Sequence, residues 1–287
     1  MAKRKLSERQ QAKVDAGRQM KVYKRDDMLQ HSRHDLSIRE QKAILYAISR
    51  IKPTDTAFDE YTFELKDFYA LCGLQKESYN ELKAILIGLK SKSWWVTIDD
   101  EGTESAVSWF NVVRTNKRSG KVTIKFHEDM MPYLLKLAEQ SAFYTAYNLQ
   151  YVLPMSSQYS PRLYELLKSY QKNNLQWFFE TEELKRLLDC QHYGRWPDFR
   201  RFALEPAIEE INKYTDINVA YDTETEGRKV TRVTFFLAAK SQSAASAARL
   251  EGNTVLDGQR TIDDFIADLQ ADTVKNRFRA ENPVKSD

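Results

Sequence analysis

The spacing of apolar side chains predicts a helix that begins just after Ser37. Between Ile38 and Ile51 apolar residues recur every three or four positions, which is the period of a helix that buries one face. Ser37 and Glu40 form a capping-box sequence that can satisfy backbone amides in the first turn. Pro53 follows the last apolar position, and we expect it to stop the helix.

The same succession of elements is predicted twice. In Ile38–Asp99 and again in Pro161–Asp222 the pattern indicates an amphipathic helix, an aromatic strand, a second helix, a polar turn, a third helix and a strand. In this alignment Tyr61–Glu64 falls on Trp177–Glu180. Such an internal repeat predicts an α+β fold of two tandem winged-helix domains. Two such domains can follow one long site, so the repeat indicates DNA binding.

The third helix of each module is the predicted recognition helix. In the first module it covers Glu77–Ser91, and one outer face carries the polar residues Lys76, Asn80 and Lys83. Ile87 lies among them, and an apolar residue there suits a protein contact better than DNA. The first module is therefore expected to combine DNA contact with a protein contact.

In the second module the recognition helix is predicted over Pro197–Tyr214. Arg200 and Arg201 lie in its front half, the part that meets base edges. Phe202 is assigned to the apolar inner face. Pro206 interrupts the pattern, because proline lacks a backbone amide and clashes with the preceding turn. We expect a kink or a short break at this step.

Two predicted hairpins have basic tips, as DNA-contacting wings do. A basic tip can also be a solvated turn without a partner, so both interpretations stay open at this point. The turn at 99–102 is acidic and would be repelled by phosphate. The cations on the two hairpins are Lys117, Arg118 and Lys121 in the first module, and Arg228, Lys229 and, further along the strand, Arg232 in the second.

Composition changes outside the two modules. The first thirty residues are rich in Lys, Arg and Gln and predict a basic, poorly ordered arm, with a strand near Met20–Tyr23. Ser- and Ala-rich sequence after Lys240 is typical of a linker, and a short amphipathic helix is predicted beyond Ile262. The predicted division is an arm at 1–30, winged-helix domains at 31–140 and 141–240, and a linker and tail at 241–287.

Bulk composition narrows the class of protein only slightly. The net charge is +3, from 44 basic and 41 acidic residues, so the distribution of charge carries more information than the sum. The sequence has no apolar run long enough to cross a membrane and no apolar signal peptide. Cys72 and Cys190 are interpreted as buried residues in a reducing compartment. We therefore expect a cytoplasmic protein without a membrane partner.

The sequence offers no convincing catalytic site. It contains neither a phosphate-binding G-x-x-x-x-G-K-[ST] loop nor a G-x-G-x-x-G motif. His31 and His34 are three residues apart, but no Cys or third His stands near them. The His-apolar-His strand of rolling-circle initiators is also missing. We expect no catalytic activity, no metal and no cofactor.

Five stretches resemble the plasmid replication initiator (Rep) proteins of theta-replicating plasmids, an iteron-binding tandem winged-helix family. The resemblance covers about residues 20 to 240, and the tail lies outside it. Its most specific part includes the Glu205-Pro206 step that interrupts the helical pattern. The matching stretches are Leu36–Tyr46, Tyr61–Phe68, Arg162–Tyr170, Phe202–Ile217 and Gly227–Thr231.

The resemblance implies a function and assigns roles to the candidate residues. In this family monomers bind directly repeated iterons in double-stranded DNA at the plasmid origin, open a nearby region and help recruit host helicase and primase. Dimers, in equilibrium with monomers, repress their own promoter. The second module is the principal DNA reader in this family, and the first combines DNA contact with dimerisation. By this analogy Arg200 and Arg201 contact bases or flanking phosphates, Lys76, Asn80 and Lys83 are their counterparts in the first module, and the hairpin cations hold the DNA backbone.

Two other functions remain compatible with the residues. A tandem winged-helix transcriptional regulator without a role in replication would use the same DNA contacts. A protein-interaction scaffold is the second alternative, because winged helices also bind proteins. The basic hairpin tips and the cations on the predicted recognition helices argue against the scaffold.

Overall fold

The computed structural model describes residues 8–52, 54–72, 79–97, 101–137, 143–171 and 174–258. Both predicted winged-helix modules are present, which confirms the α+β fold, and their buried apolar side chains form one continuous core. The predictions made for Pro53, for Lys76 and for the tail helix beyond Ile262 lie outside the described residues.

The N-terminal segment is ordered from residue 8, so the prediction of a poorly ordered arm is wrong there. The strand expected near Met20–Tyr23 is confirmed, and it pairs antiparallel with Tyr144–Asn148, beyond the first module. Because that partner is far along the chain, local composition could not reveal it. The elements are helix α1 (Glu8–Arg18), strand β1 (Lys21–Arg25), helix α2 (Asp26–His31) and strand β2 (Ser32–Arg33).

The first module is a winged helix with an inserted hairpin. Its first helix begins at the predicted capping box, where the hydroxyl of Ser37 accepts from the amide of Glu40 and the Glu40 carboxylate accepts from the amide of Ser37. The elements are α3 (Ile38–Ile48), β3 (Tyr61–Glu64), α4 (Leu65–Leu71), α5 (Tyr79–Ser91), β4 (Ser93–Thr97), β5 (Glu104–Ser108), β6 (Phe110–Asn116) and β7 (Lys121–Phe126). Strands β3, β7 and β6 form the winged-helix sheet, with β7 in the middle.

The inserted hairpin β4–β5 corrects the predicted alignment of the repeat. Strand β5 pairs with β4 and strand β6 pairs with β7, so the two hairpins lie in different sheets. Trp109 between them is buried, with its ring 6.3 Å from that of Trp94. The wing of the first module is therefore β6–β7, and the strand after its recognition helix has no counterpart in the second module.

The second module repeats the winged-helix sheet without the insertion. Strand β11 lies between β9 and β10, as β7 lies between β3 and β6. Within the described residues the helix expected to join the modules is short. The elements are α6 (Met131–Leu134), β8 (Tyr144–Asn148), α7 (Tyr159–Gln171), β9 (Gln176–Glu180), α8 (Thr181–Leu187), α9 (Trp196–Phe199), α10 (Glu205–Tyr214), β10 (Ile217–Glu226) and β11 (Lys229–Ala239).

The recognition helix of the second module changes its winding near Pro206. A π-helical stretch, Arg200–Leu204, joins α9 to α10, and the amide of Glu205 donates to the carbonyl of Arg200. Since Pro206 has no amide to donate, the wider turn lets the helix continue without a break. The predicted irregularity is confirmed, but the assignment of Phe202 to the inner face is wrong, because this side chain is 49% exposed.

The chain after Lys240 is not a linker, which corrects that prediction for residues 242–258. These residues form helix α11 (Gln242–Gly258), which buries Ala248 and Leu256. Gly252 allows the close approach, since a Cβ there would lie 3.1 Å from Cγ of Pro154. Alanine-rich sequence favours helices as well as linkers, and here packing decides between them.

Buried polar groups join the N-terminal segment to the second module. The ammonium of Lys24 on β1 lies 2.7 Å from a carboxylate oxygen of Glu165 on α7, and these side chains are 4% and 3% exposed. The hydroxyl of Tyr147 on β8 donates to the same carboxylate. Arg162, also on α7, donates to the carbonyls of Ser32 and Leu187.

We expect Glu165→Gln to lower the free energy of unfolding by about 3–5 kcal/mol, because it leaves the buried Lys24 charge without its partner. The measurement is chemical denaturation followed by circular dichroism. As a control, Glu60→Gln removes an ion pair to Arg114 in which both side chains are about half exposed, and its loss should stay below about 1 kcal/mol. Equal losses for the two variants would contradict the prediction.

Candidate nucleic-acid interface

Arg200 and Arg201 lie side by side at the front of the second recognition helix, in its π-helical stretch. Arg200 is half exposed, and its Nε lies 3.5 Å from Oε1 of Glu205. Arg201 is exposed, with its guanidinium 5.2 Å from the ring centroid of Phe202. An exposed ion pair of this kind contributes little to stability, so Arg200 can leave Glu205 for a stronger acceptor. Both guanidinium groups are therefore accessible to DNA.

Phe202 completes this turn of the helix and was missed by the sequence reasoning. Its exposed ring stacks on Tyr193, with centroids 6.2 Å apart and planes at 20°. Held in this way, the ring presents an apolar surface beside the two arginines. The signal that could have found it is Pro206, because a π-helical turn ahead of a proline shifts every helical-wheel position before it.

The second wing ends in a tight turn that exposes its cations. Glu226 and Lys229 are paired across the hairpin, so Gly227 and Arg228 alone form the loop. Gly227 has φ +61°, a conformation that glycine adopts without strain. Arg228 and Lys229 are both exposed. The predicted wing tip is thus present, with its two positive charges at the outermost point of the hairpin.

Arg232 differs from the other hairpin cations, because acidic side chains already surround it. Its guanidinium lies 3.1 Å from Glu180 on β9 and 3.1 Å from Glu224 on β10. It also lies 4.5 Å from the ring centroid of Phe178. The hydrogen bond to Glu180 raises the pKa of Arg232. These contacts link neighbouring strands, and they make Arg232 the least favoured of the predicted DNA contacts.

The first wing also has an exposed basic tip. Lys117 and Arg118 lie in the turn of β6–β7, and Lys121 begins β7. The turn is braced by Asn116, whose side-chain oxygen accepts from the amide of Ser119 at 3.0 Å. The three predicted cations are therefore brought together on one rigid hairpin, which suits contact with successive phosphates.

A groove of about 390 Å³ separates this wing from the start of α5. Lys117 and Arg118 line one side, and Lys66 and Tyr79 line the other. Lys66 was not among the predicted site residues, and its ammonium lies 2.6 Å from Glu64, whose pKa it lowers. Lys66 sits at the start of α4 and reaches this groove only because β3 pairs with β7, a contact that the sequence does not display.

The outer face of α5 carries the remaining candidates of the first module. Asn80 and Lys83 are exposed on it, while Leu82 and Leu86 face the core. Ile87 is 53% exposed on this helix, which confirms that it does not belong to the inner stripe. The assignment of Ile87 to a protein contact stays a prediction.

The described residues carry little that suggests other chemistry. They contain no group of three or more His, Cys, Asp or Glu side chains placed to hold a metal ion. Among the described helices none is long and apolar enough to span a membrane. Cys72 and Cys190 are both buried, as predicted.

Two family models match successive parts of the chain. "Initiator Replication protein, WH1" matches residues 21–168, which is more than half of the chain, and "Initiator Rep protein, WH2" matches residues 180–236. The first match begins at β1, so the N-terminal strand belongs to the shared architecture. The second match covers α8, the recognition helix and most of the β10–β11 hairpin of the second module.

Two curated proteins of Escherichia coli are similar to parts of this chain. A PI protein is 31% identical over 132 residues, covering 40% of this chain and 43% of that protein. A replication initiation protein is 24% identical over 203 residues, covering 67% of this chain and 62% of that protein. The chain thus spans less than two thirds of the length of either relative.

A solved structure shares the fold. The crystal structure of Pi initiator protein in complex with iteron DNA superposes with a TM-score of 0.63 and 21% sequence identity, covering 78% of this chain and 99% of that chain. Together with the two family models, which match both winged-helix modules in order, this places the fold and the ancestry of the protein. The chain belongs to the family of initiator replication proteins.

Proposed function

We propose that this protein is a plasmid replication initiator that binds direct repeats, or iterons, at its origin in a sequence-specific manner. The observation that carries the proposal is the surface of the second module, where Arg200, Arg201 and Phe202 are exposed on one turn of the recognition helix. Arg228 and Lys229, the two exposed cations at the wing tip, extend this surface. Arginines on a recognition helix suit base edges, and wing cations suit phosphates. Because the chain belongs to the initiator replication family, repeats at a replication origin are the DNA proposed to bind this surface.

The remaining steps of initiation belong to the same proposal. Bound monomers promote opening of the origin and recruit the host helicase and primase in the cytoplasm, without a catalytic activity of their own. A dimer represses the promoter of its own gene. The exposed Ile87 on α5 supports a protein contact by the first module, in keeping with a division of labour in which the second module is the principal DNA reader.

The double variant Arg200→Ala, Arg201→Ala tests the function directly. A plasmid that carries the gene and its upstream repeats as its sole origin should be maintained by the unaltered protein and lost with the double variant. In competition binding the variant should lose about 1–3 kcal/mol of discrimination for each guanine contact that disappears, while binding to random DNA changes little.

The matched control for this test is Lys213→Ala. Lys213 is exposed at the far end of the same helix, where it lies 3.5 Å from Glu251 on α11. This variant should keep both maintenance and discrimination. If the unaltered gene represses its promoter but never sustains the plasmid, the protein is a transcriptional regulator and the proposal of initiation is overturned.

The second wing should contribute affinity without sequence preference. We expect Arg228→Ala with Lys229→Ala to weaken binding to specific and random DNA alike, since phosphate contacts carry no sequence information. The slope of log K against log salt should become shallower by roughly one to two units. Fluorescence anisotropy over a salt series gives this slope. An unchanged slope would remove the wing from the interface.

Phe202 should read the methyl group of a thymine, the apolar feature of the major groove. Phe202→Ala is expected to weaken binding to the cognate repeat by about 1 kcal/mol. Replacing thymines of the repeat one at a time by uracil should produce the same loss at one position with the unaltered protein. At that position the exchange should have no effect on the variant. A loss that is independent of every thymine methyl would refute this role.

A further inference from the structure

An open groove of about 640 Å³ lies between α1, α4 and the end of α3. Its floor is apolar and includes Val14, Met20 and Leu71. Its charged lining has more cations than carboxylates: the cations are Arg9, Lys13, Arg50 and Lys66, and the carboxylate is Asp67. Lys13 lies 2.7 Å from Asp67 and Lys66 lies 2.6 Å from Glu64, so the excess of positive charge comes from Arg9 and Arg50. Lys66 also lines the groove beside the first wing. A groove with an apolar floor and a basic rim suits an acidic amphipathic helix.

Helix α1, which forms one wall of this groove, has few contacts of its own. Of its eleven residues only Val14 and Arg18 are buried. A helix of this length is marginal in water, and packing of an apolar face provides most of the stability of such helices in proteins. The wall of the groove would therefore gain stability from an occupant.

The C-terminal end of the described chain lies at the edge of this groove. Nη2 of Arg18 on α1 lies 2.9 Å from Oδ1 of Asp257 near the end of α11. Nε of the same arginine donates to the carbonyl of Leu71, which lines the groove. Arg18 thus bridges the groove wall and the last turn of α11, so the chain beyond Gly258 continues from this point.

We propose that residues 261–269 of the same chain dock as a helix in this groove. Only Gln259 and Arg260 separate this segment from Gly258, a span of roughly 7 Å when extended. Thr261 and Asp264 have the spacing of a capping box at its start. The apolar stripe that would meet the floor consists of Ile262, Phe265, Ile266 and Leu269, and the carboxylates that would flank it and face the basic rim are Asp263 and Asp268.

Docking would bring acidic side chains near the first wing. The segment brings two carboxylates beside cations that include Lys66, and Lys66 also borders the first wing. The docked segment would therefore lie next to the wing that is proposed to hold phosphate.

Hydrogen exchange of the full chain without DNA tests the docking. One variant carries Phe265→Ala and Ile266→Ala, and a second carries Asp263→Asn and Asp268→Asn. In both, exchange of the α1 amides should accelerate by about tenfold or more, while amides of α10 keep their protection. For the second variant the effect should shrink at high salt, because the lost contacts are electrostatic. The control with Asp272→Asn and Asp287→Asn changes charge outside the segment and should leave α1 unchanged.

Three outcomes would overturn the proposal. The first is unchanged α1 exchange in both variants. The second is loss of protection on the sheet of the second module, where Leu175, Phe178 and Phe236 are exposed and apolar, because the segment would then cover that surface instead. The third is an effect that depends on protein concentration, which would place the segment on a second copy. Because the measurement contains no DNA, its result is independent of the proposed role in replication.

Discussion

The buried contact between Lys24 and Glu165 holds the two halves of this protein together. Burial lowers the pKa of Lys24, and the adjacent carboxylate opposes that shift. The same carboxylate accepts from Tyr147, so one acidic side chain joins β1, β8 and α7. Removing two charges from water is costly and is compensated only when every partner is in place. The N-terminal strand, the segment between the modules and the first helix of the second module therefore behave as a unit, on which both recognition helices are mounted.

Within that frame a single proline shapes the surface that is proposed to face DNA. Because Pro206 cannot donate a backbone hydrogen bond, the turn before it widens into a π-helical stretch. The extra residue in that turn moves Phe202 from the expected inner face to the surface, beside Arg200 and Arg201. The packing of the core is preserved, because Phe199 and Leu204, on either side of Phe202, are fully buried. The π-helical stretch thus places basic and apolar side chains together on one exposed surface.

The positions of the charged residues say more about the function of this protein than its net charge does. A net charge of +3 is unremarkable for a chain of 287 residues, yet small groups of exposed cations lie together at two hairpin tips and on one helical turn. Arg232 shows the opposite case, because Glu180 and Glu224 already neutralise it. The acidic residues of the segment 261–269 and the cations of the groove beside α1 are a further separation of charge, on which the proposed docking depends.

The local pattern of side chains was sufficient to predict much of the fold and part of the candidate site. Apolar periodicity, the capping box at Ser37 and the turn at Gly227 are encoded within a few residues, so the paired modules and their basic wing tips could be predicted from the sequence by itself. The tertiary structure alone decided which strands pair, and hence that β4–β5 is an insertion, that β1 joins β8 and that Lys66 borders the first wing. It also decided that residues 242–258 form a packed helix. These properties depend on contacts between residues far apart in the chain, which no local pattern of side chains contains.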